Sequence, residues 1–565
     1  MKRAISWTSW ALCCAFLAVT PGAARADTSA VLDAMGQELD RNFAALKEKA
    51  KPAPYFIGYE VTDHERRDIT ASFGSVVTDG GNHSRSLDVS VRVGSPKLDN
   101  YHVENGNRGN FTSGRGVSID DNPLALKMRL WSETDRVYTA AVERLIRMQS
   151  SQQVKVAADD QSDDFSVEKP VVHSGAPTKF RCDRAGWTTR LRKLSATFRK
   201  YPEVLTSSIS VSCQAETHYL ATTEGTRLVH GRGYARLIVQ SHARAEDGSD
   251  LSIGRHFDAL DESGLPNDAA IEQAVDGAAK DLKALLHAPE TEPYNGPAIL
   301  SGKAAGVFFH EIFGHRVEGE RQKDESEGQT FAKSLGKSVL PDFLSVVFDP
   351  TMHRFGDVEL NGWYDYDSEG VPGQKVRVVE GGVLKGFLQS RSPIRGFPNS
   401  NGHGRREAGR EVYSRQSNLL VEAAKSVNDA ELRKMLIEEV KKRGKPYGLY
   451  FQEIQGGFTN TSRNSLQAFR VIPVMVYRVY ADGRADELVR GANIVGTPLA
   501  SFSRITAAGN RPEVFNGTCG AASGWVPVSA ISPELLVSDI EVEKKPKSKD
   551  RPPLLSAPDF TEVRR

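Results

Sequence analysis

Apolar positions recur at helical spacing over residues 29–51, 124–148, 181–201, 268–287 and 431–443, which predicts five helices. Elsewhere the period shortens to two. Alternation over 55–63, 84–93, 207–241 and 468–480 predicts strands, and 374–380 with 383–389 reads as a hairpin about Gly381-Gly382. Turns are expected at Asp79-Gly80-Gly81-Asn82, Thr223-Glu224-Gly225, Gly231-Arg232-Gly233 and Ala481-Asp482-Gly483-Arg484. Polar residues over 150–168 predict an exposed excursion, and 289–297, with proline at both ends, reads as a linker. The pattern predicts an α+β protein of two domains. An N-terminal α/β domain with antiparallel strands spans 27–290, and a β-rich C-terminal domain spans 297–545. Residues 546–565 read as a flexible tail.

The N-terminus fits neither period. Lys2 and Arg3, an apolar run over 10–19 and the small-residue site Ala24-Arg25-Ala26 together read as a cleaved secretory signal over 1–26. Pro21 and Gly22 interrupt that run before it reaches the length of a membrane span. Cys13 and Cys14 raise a lipoprotein alternative, which cleavage before Asp27 fits less well. No later stretch approaches 18 apolar residues, so no membrane span is expected and the implied address is a bacterial periplasm. Losing Lys2, Arg3 and Arg25 takes three from 73 basic residues against 72 acidic ones, leaving a net charge of about −2. That balance argues against broad electrostatic binding to nucleic acid or anionic lipid. Of five cysteines, Cys182, Cys213 and Cys519 lie beyond the signal. Cys182 and Cys213 are open to two readings, a disulfide or two buried thiols.

The chemistry concentrates in Ala304-Ala305-Gly306-Val307-Phe308-Phe309-His310-Glu311-Ile312-Phe313-Gly314-His315. So apolar a run is expected to be buried, and burying an unpaired carboxylate beside imidazoles is costly. A divalent metal removes that cost, because neutral imidazole is a common zinc ligand and the glutamate can serve as base. The spacing H-E-x-x-x-H is one residue longer than the zincin motif. On a regular helix, positions i and i+5 point about 140° apart, so both rings cannot meet one ion. A π-bulge is the expected device for bringing them together. Two satisfied core histidines remain the alternative. Cys519, in Asn516-Gly517-Thr518-Cys519-Gly520, is either a buried structural thiol or a protected thiolate ligand.

Five separated segments, in order, resemble the TldD side of the TldD/PmbA family of metallopeptidases. They are A-A-G-V-F-F-H-E-I-F-G-H-R-V-E-G-E over 304–320, D-S-E-G-V-P-G-Q over 367–374, E-G-G-V-L-K-G-F-L over 380–388, S-N-G-H-G-R-R-E over 400–407, and 518–528 with Cys519, Gly520 and Val526-Pro527-Val528. The resemblance runs over about 297–542, with an apparent insertion near 150–215 in the other half, and the signal segment would make this an exported homologue. It implies His310, His315 and Cys519 as ligands of a catalytic Zn2+, with Glu311 as general base to metal-activated water in peptide hydrolysis. It also implies a dimer, either a homodimer or a heterodimer with a PmbA-like subunit. Glu318 and Glu320 are candidates to orient the ligand imidazoles, or else they cap the helix end. His403, Arg405 and Arg406 are candidates to bind substrate, or else are surface residues of a Gly-rich loop. The leading expectation is a periplasmic zinc peptidase acting on unstructured peptides or unfolded segments. The alternatives are a non-catalytic peptide-binding or partner subunit of a TldD-like complex and, more weakly, a cysteine hydrolase built on Cys519.

Overall fold

The computed structural model describes residues 29–547 apart from 105, 153–159, 465–467 and 498–500, with a few positions beyond. The signal segment, with Cys13 and Cys14, and most of the tail over 546–565 lie outside the described residues. The expected helices form as α1 (Ala30–Lys49), α2 (Pro123–Gln152), α3 (Arg184–Ser195), α4 (Asp268–His287) and a later helix, Asp429–Lys442. Asn267 and Asn428 cap the last two by accepting the backbone N–H three residues on.

Strands Pro54–Ser72 and Ser75–Ser95 form one long hairpin. Its turn is at Phe73 and Gly74, with φ of 46° and 89°, and not at Asp79 to Asn82 as expected. Gly80 and Gly81 stay in the ladder opposite Asp68 and Arg67. A Cβ on Gly81 would stand 2.8 Å from the Arg67 guanidinium, so this glycine makes room for a cross-strand side chain. The Gly231-Arg232-Gly233 turn is corrected in the same way, since all three residues lie inside strand Arg227–Arg244. There a Cβ on Gly231 would meet the Glu216 carbonyl at 2.2 Å.

These strands belong to an eight-stranded sheet in which Pro54–Ser72, Thr206–Thr222, Arg227–Arg244 and Asp250–Ala259 are successive antiparallel neighbours. One face carries Ile57, Tyr59 and Val61 at one end, under α1 and α2. Further along the same face Ile69, Val211 and Leu237 lie under α3 and α4. The strands are long enough to bury two helix pairs in succession on one surface. Their other residues, including Glu60, His64, Glu216, His218 and Arg232, line the opposite face and look onto the C-terminal half. Part of the expected polar excursion also packs inward: Phe165 is buried, with the Arg92 and Arg391 guanidinium groups 3.7 and 3.9 Å from its ring.

In the C-terminal half, five strands close into a ring. Tyr447–Thr459, Tyr294–Leu300, Leu535–Lys544, Ala492–Gly496 and Phe469–Tyr480 are hydrogen-bonded in that order, and the last returns to the first. A separate six-stranded sheet places Leu344–Phe348, Asn418–Ala423, Gly524–Ser532 and Glu513–Ala521 side by side. Between the ring and this sheet lies α5 (Gly302–Ile312), buried at every position except Lys303. A helix enclosed on all sides has no polar stripe to show, which is why this segment is apolar around its circumference.

Candidate metal centre

Ser301 starts α5, its hydroxyl accepting from the Ala304 N–H at 3.1 Å. The expected π-bulge does not form. The α-helix stops at Ile312, Phe313 leaves helical geometry at φ −111° and ψ −53°, and a 3₁₀ turn carries Gly314–Val317. That break rotates His315 back toward His310, and the two ring centroids lie 5.1 Å apart at 79°. Gly314 is needed at the break, because a Cβ there would fall 1.9 Å from Gln416 Oε1.

Cys519 arrives from the hairpin Glu513–Ala521 and Gly524–Ser532, where it pairs with Val526. Its Sγ is 3.3 Å from His315 Nε2, and the donor atoms of His310, His315 and Cys519 all lie within 4.8 Å of one another. The three side chains are 8%, 6% and 4% exposed. Burial opposes ionisation of the thiol, but His315 and His310 beside it outweigh that effect and hold Cys519 well below the usual thiol range. Burial likewise works against a charged His315 ring, yet Cys519 and Glu318 raise it to about 10. Two imidazole nitrogens and one thiolate sulfur suit zinc, and three protein donors leave room for a fourth ligand.

The surroundings fix these donors. Glu318 lies 3.2 Å from His315 Nδ1, which leaves Nε2 facing the sulfur. Burial alone would raise the Glu318 carboxyl, but His315 and Arg321 bring it to about 2. Arg321 donates to Glu318 at 2.7 Å and Arg415 Nε lies 3.6 Å away. Arg415 also donates to the Cys519 carbonyl at 2.6 Å, and Gln416 to the His310 carbonyl at 3.2 Å. Arg415 and Gln416 escaped the sequence reading; Y-S-R-Q-S-N carries no motif, and only the fold brings it beneath the ligands. Glu311 is buried, with its Cγ crowding the place where a Gly457 Cβ would lie, 2.8 Å away. Burial raises its carboxyl above the usual range, against the pull of the two imidazoles.

The remaining candidates fall elsewhere. Glu320 accepts from the Ser414 N–H at 2.8 Å and from the Ser390 hydroxyl. His403 is fully buried, with Nδ1 donating to Asn401 and Nε2 3.2 Å from the Ser417 hydroxyl; burial lowers it to about 3. Arg405 donates to the Gln416 and Pro527 carbonyls at 2.6 and 2.8 Å, bracing the hairpin that carries Cys519. Arg406 reaches across to the N-terminal sheet, its Nε donating to Glu60 at 2.9 Å. Arg405 and Arg406 both line a cavity of about 450 Å³ between the halves, beside the 63% exposed Trp525.

Residues 293–544 match the PmbA/TldA metallopeptidase C-terminal domain. That match covers the C-terminal half of this chain, which carries the His310, His315 and Cys519 cluster. A metalloprotease of Archaeoglobus fulgidus is 30% identical over 239 residues, 42% of this chain and 51% of that protein. A metalloprotease TldD homolog of Haemophilus influenzae is 27% identical over 349 residues, 59% of this chain and 67% of that protein. This chain thus spans about half to two thirds of the length of these two relatives. The second match is too long to fit in the C-terminal half alone, so the likeness reaches into the N-terminal sheet. The structure of TldE from Thermococcus kodakarensis superposes with a TM-score of 0.58 at 14% identity, covering 90% of this chain and all of that one. At that identity the match defines the shared fold.

Proposed function

We propose that this protein is a zinc-dependent peptidase that hydrolyses unstructured peptides or unfolded protein segments. The observation that carries this reading is the convergence of His310, His315 and Cys519 around one point, with Glu311 next to a ligand in sequence and close enough to share its field. A zinc ion held there would supply a Lewis acid for the scissile carbonyl and lower the pKa of water. Glu311 takes the proton from the attacking water and returns it to the leaving amine. Its raised pKa suits both halves of that transfer, because a carboxylate with very low affinity for protons is a poor base. Glu318 holds the His315 ring in one tautomer throughout. The near-complete burial of the ligands supports an extended, unfolded substrate, since a folded surface has no way to present a peptide bond to them.

The TldE likeness supports an assembly of two subunits, a homodimer or a heterodimer with a PmbA-like chain, and the leader supports a periplasmic address. The test is peptide hydrolysis by the full chain before and after chelation. Loss of cleavage with the chelator and recovery on adding one equivalent of zinc supports the proposal. Cleavage that persists after the metal has been removed contradicts it.

A further inference from the structure

Cys182 and Cys213 take no part in the metal centre. Cys213 is buried in the middle of strand Thr206–Thr222, opposite Arg67 on one neighbour and Ala235 on the other. Cys182 is half-buried, two residues before α3, at the end of a stretch over 175–183 with no regular structure. Both belong to the apolar cluster under α3 and α4. Their sulfurs and a carboxylate oxygen of Glu262 lie within 4.8 Å of one another, and both thiols are free.

A metal is the poorer use of this cluster. A structural zinc takes four donors, and no imidazole joins these three among the described residues. Glu262 is already engaged, accepting from the Asp183 N–H at 2.8 Å and from Trp187 Nε1 at 2.7 Å. We propose that Cys182 and Cys213 are a disulfide-forming pair, which in an oxidising compartment ties the start of α3 to the strand beneath it. Strand Thr206–Thr222 is held on both sides by its ladder, so Cys182 is the partner that moves. The hydrogen bonds that fix its stretch fall at Gly175, Thr178 and Asp183 and at the Cys182 carbonyl, which accepts from the Arg184 N–H at 2.9 Å, so the slack for a small approach lies over 179–181 and in the Cys182 side chain. The roles are also unequal: the contact with Cys213 lowers the Cys182 thiol, while the same contact and burial raise Cys213. Cys182, the more exposed and more acidic, is the entry point.

A small disulfide such as oxidised glutathione supplies the oxidant. The Cys182 thiolate attacks one of its sulfurs, forming a mixed disulfide and expelling one glutathione thiolate. Cys213, once deprotonated, attacks the Cys182 sulfur and expels the second. Two protein thiols are oxidised, one glutathione disulfide is reduced to two thiols, and the two cysteine protons end on glutathione.

The full chain, equilibrated with oxidised glutathione, is denatured in iodoacetamide, digested without reductant and read by mass spectrometry. The expected product is one linked peptide pair joining Cys182 to Cys213, lost on adding dithiothreitol. Reduction should also lower the Tm of the oxidised wild type by on the order of 5 °C and leave Cys182→Ser unchanged. Serine at the half-exposed Cys182 removes the bridge while sparing the buried core position. Two outcomes would overturn the proposal: both cysteines fully alkylated after oxidation, or zinc held through Cys182 and Cys213 in a Cys519→Ala chain.

Discussion

His310 and His315 differ in how far each is committed before a metal arrives. His315 is held from behind by Glu318, which is itself fixed by Arg321 and flanked by Arg415. His310 is held through its backbone carbonyl, which accepts from Gln416, and its side chain meets Cys519 with no carboxylate described behind it. Removing the charge behind His315 should therefore loosen one ligand selectively. Glu318→Gln is expected to weaken zinc affinity about 10–100-fold with the fold retained, read by competition with a chromophoric chelator. Unchanged affinity would mean that the carboxylate does not orient the ring. At this scale the sequence was informative about the donors and silent about their supports. His310, Glu311, His315 and Cys519 stand out because buried ionisable groups and a thiol need a reason to be there. Arg415 does not, since nothing in a linear sequence distinguishes a buried arginine from a solvated one.

At the level of elements, the decisive feature is where α5 ends. On a regular helix the five-residue spacing keeps the two rings from one ion, and a π-bulge was the device expected to bring them together. The chain instead ends the helix at Ile312 and tightens into a 3₁₀ turn. Propensity does not separate these outcomes; the close approach of Gln416 to Gly314 does, and it depends on a segment between strands about a hundred residues away. Gly314→Ala is expected to cost about 1–3 kcal/mol of stability and to lower zinc occupancy, because the Cβ must displace Gln416 or the turn. Denaturant unfolding with parallel metal analysis checks this, and wild-type values for both would remove Gly314 from the account. The same reasoning explains the misplaced turns. Gly81, Gly231 and Gly233 are glycines for want of space beside a strand, a cause that the local sequence shares with a true turn.

For the whole molecule, the alternation in the N-terminal strands predicts strands without saying what meets their polar face. That face meets the C-terminal half, where Arg406 pairs with Glu60 across 346 residues of sequence. His218 completes the contact, its Nδ1 3.0 Å from Glu60 and its Nε2 3.8 Å from Glu216. Burial alone would lower the His218 ring, but these two carboxylates raise it to about 10 from a usual value of about 6.5. A group whose folded pKa is raised stabilises fully below its unfolded pKa and loses that contribution as pH rises to its folded one. The stabilisation from His218 should thus be complete near pH 6.5 and fade toward pH 10. His218→Gln is expected to lower the Tm by several degrees at pH 6.5 and by progressively less toward pH 10. A gap that widens with pH would contradict the assignment.

The central claim is that Glu311 moves the proton in peptide hydrolysis at this metal centre. Its most direct test incubates the zinc-loaded protein with a mixture of unstructured peptides beside Glu311→Gln and reads the products by mass spectrometry. Fragments are expected from the wild type, with a rate about 10²–10⁴-fold lower from a variant that still holds zinc. Equal fragmentation by both chains, or none by either, would contradict it.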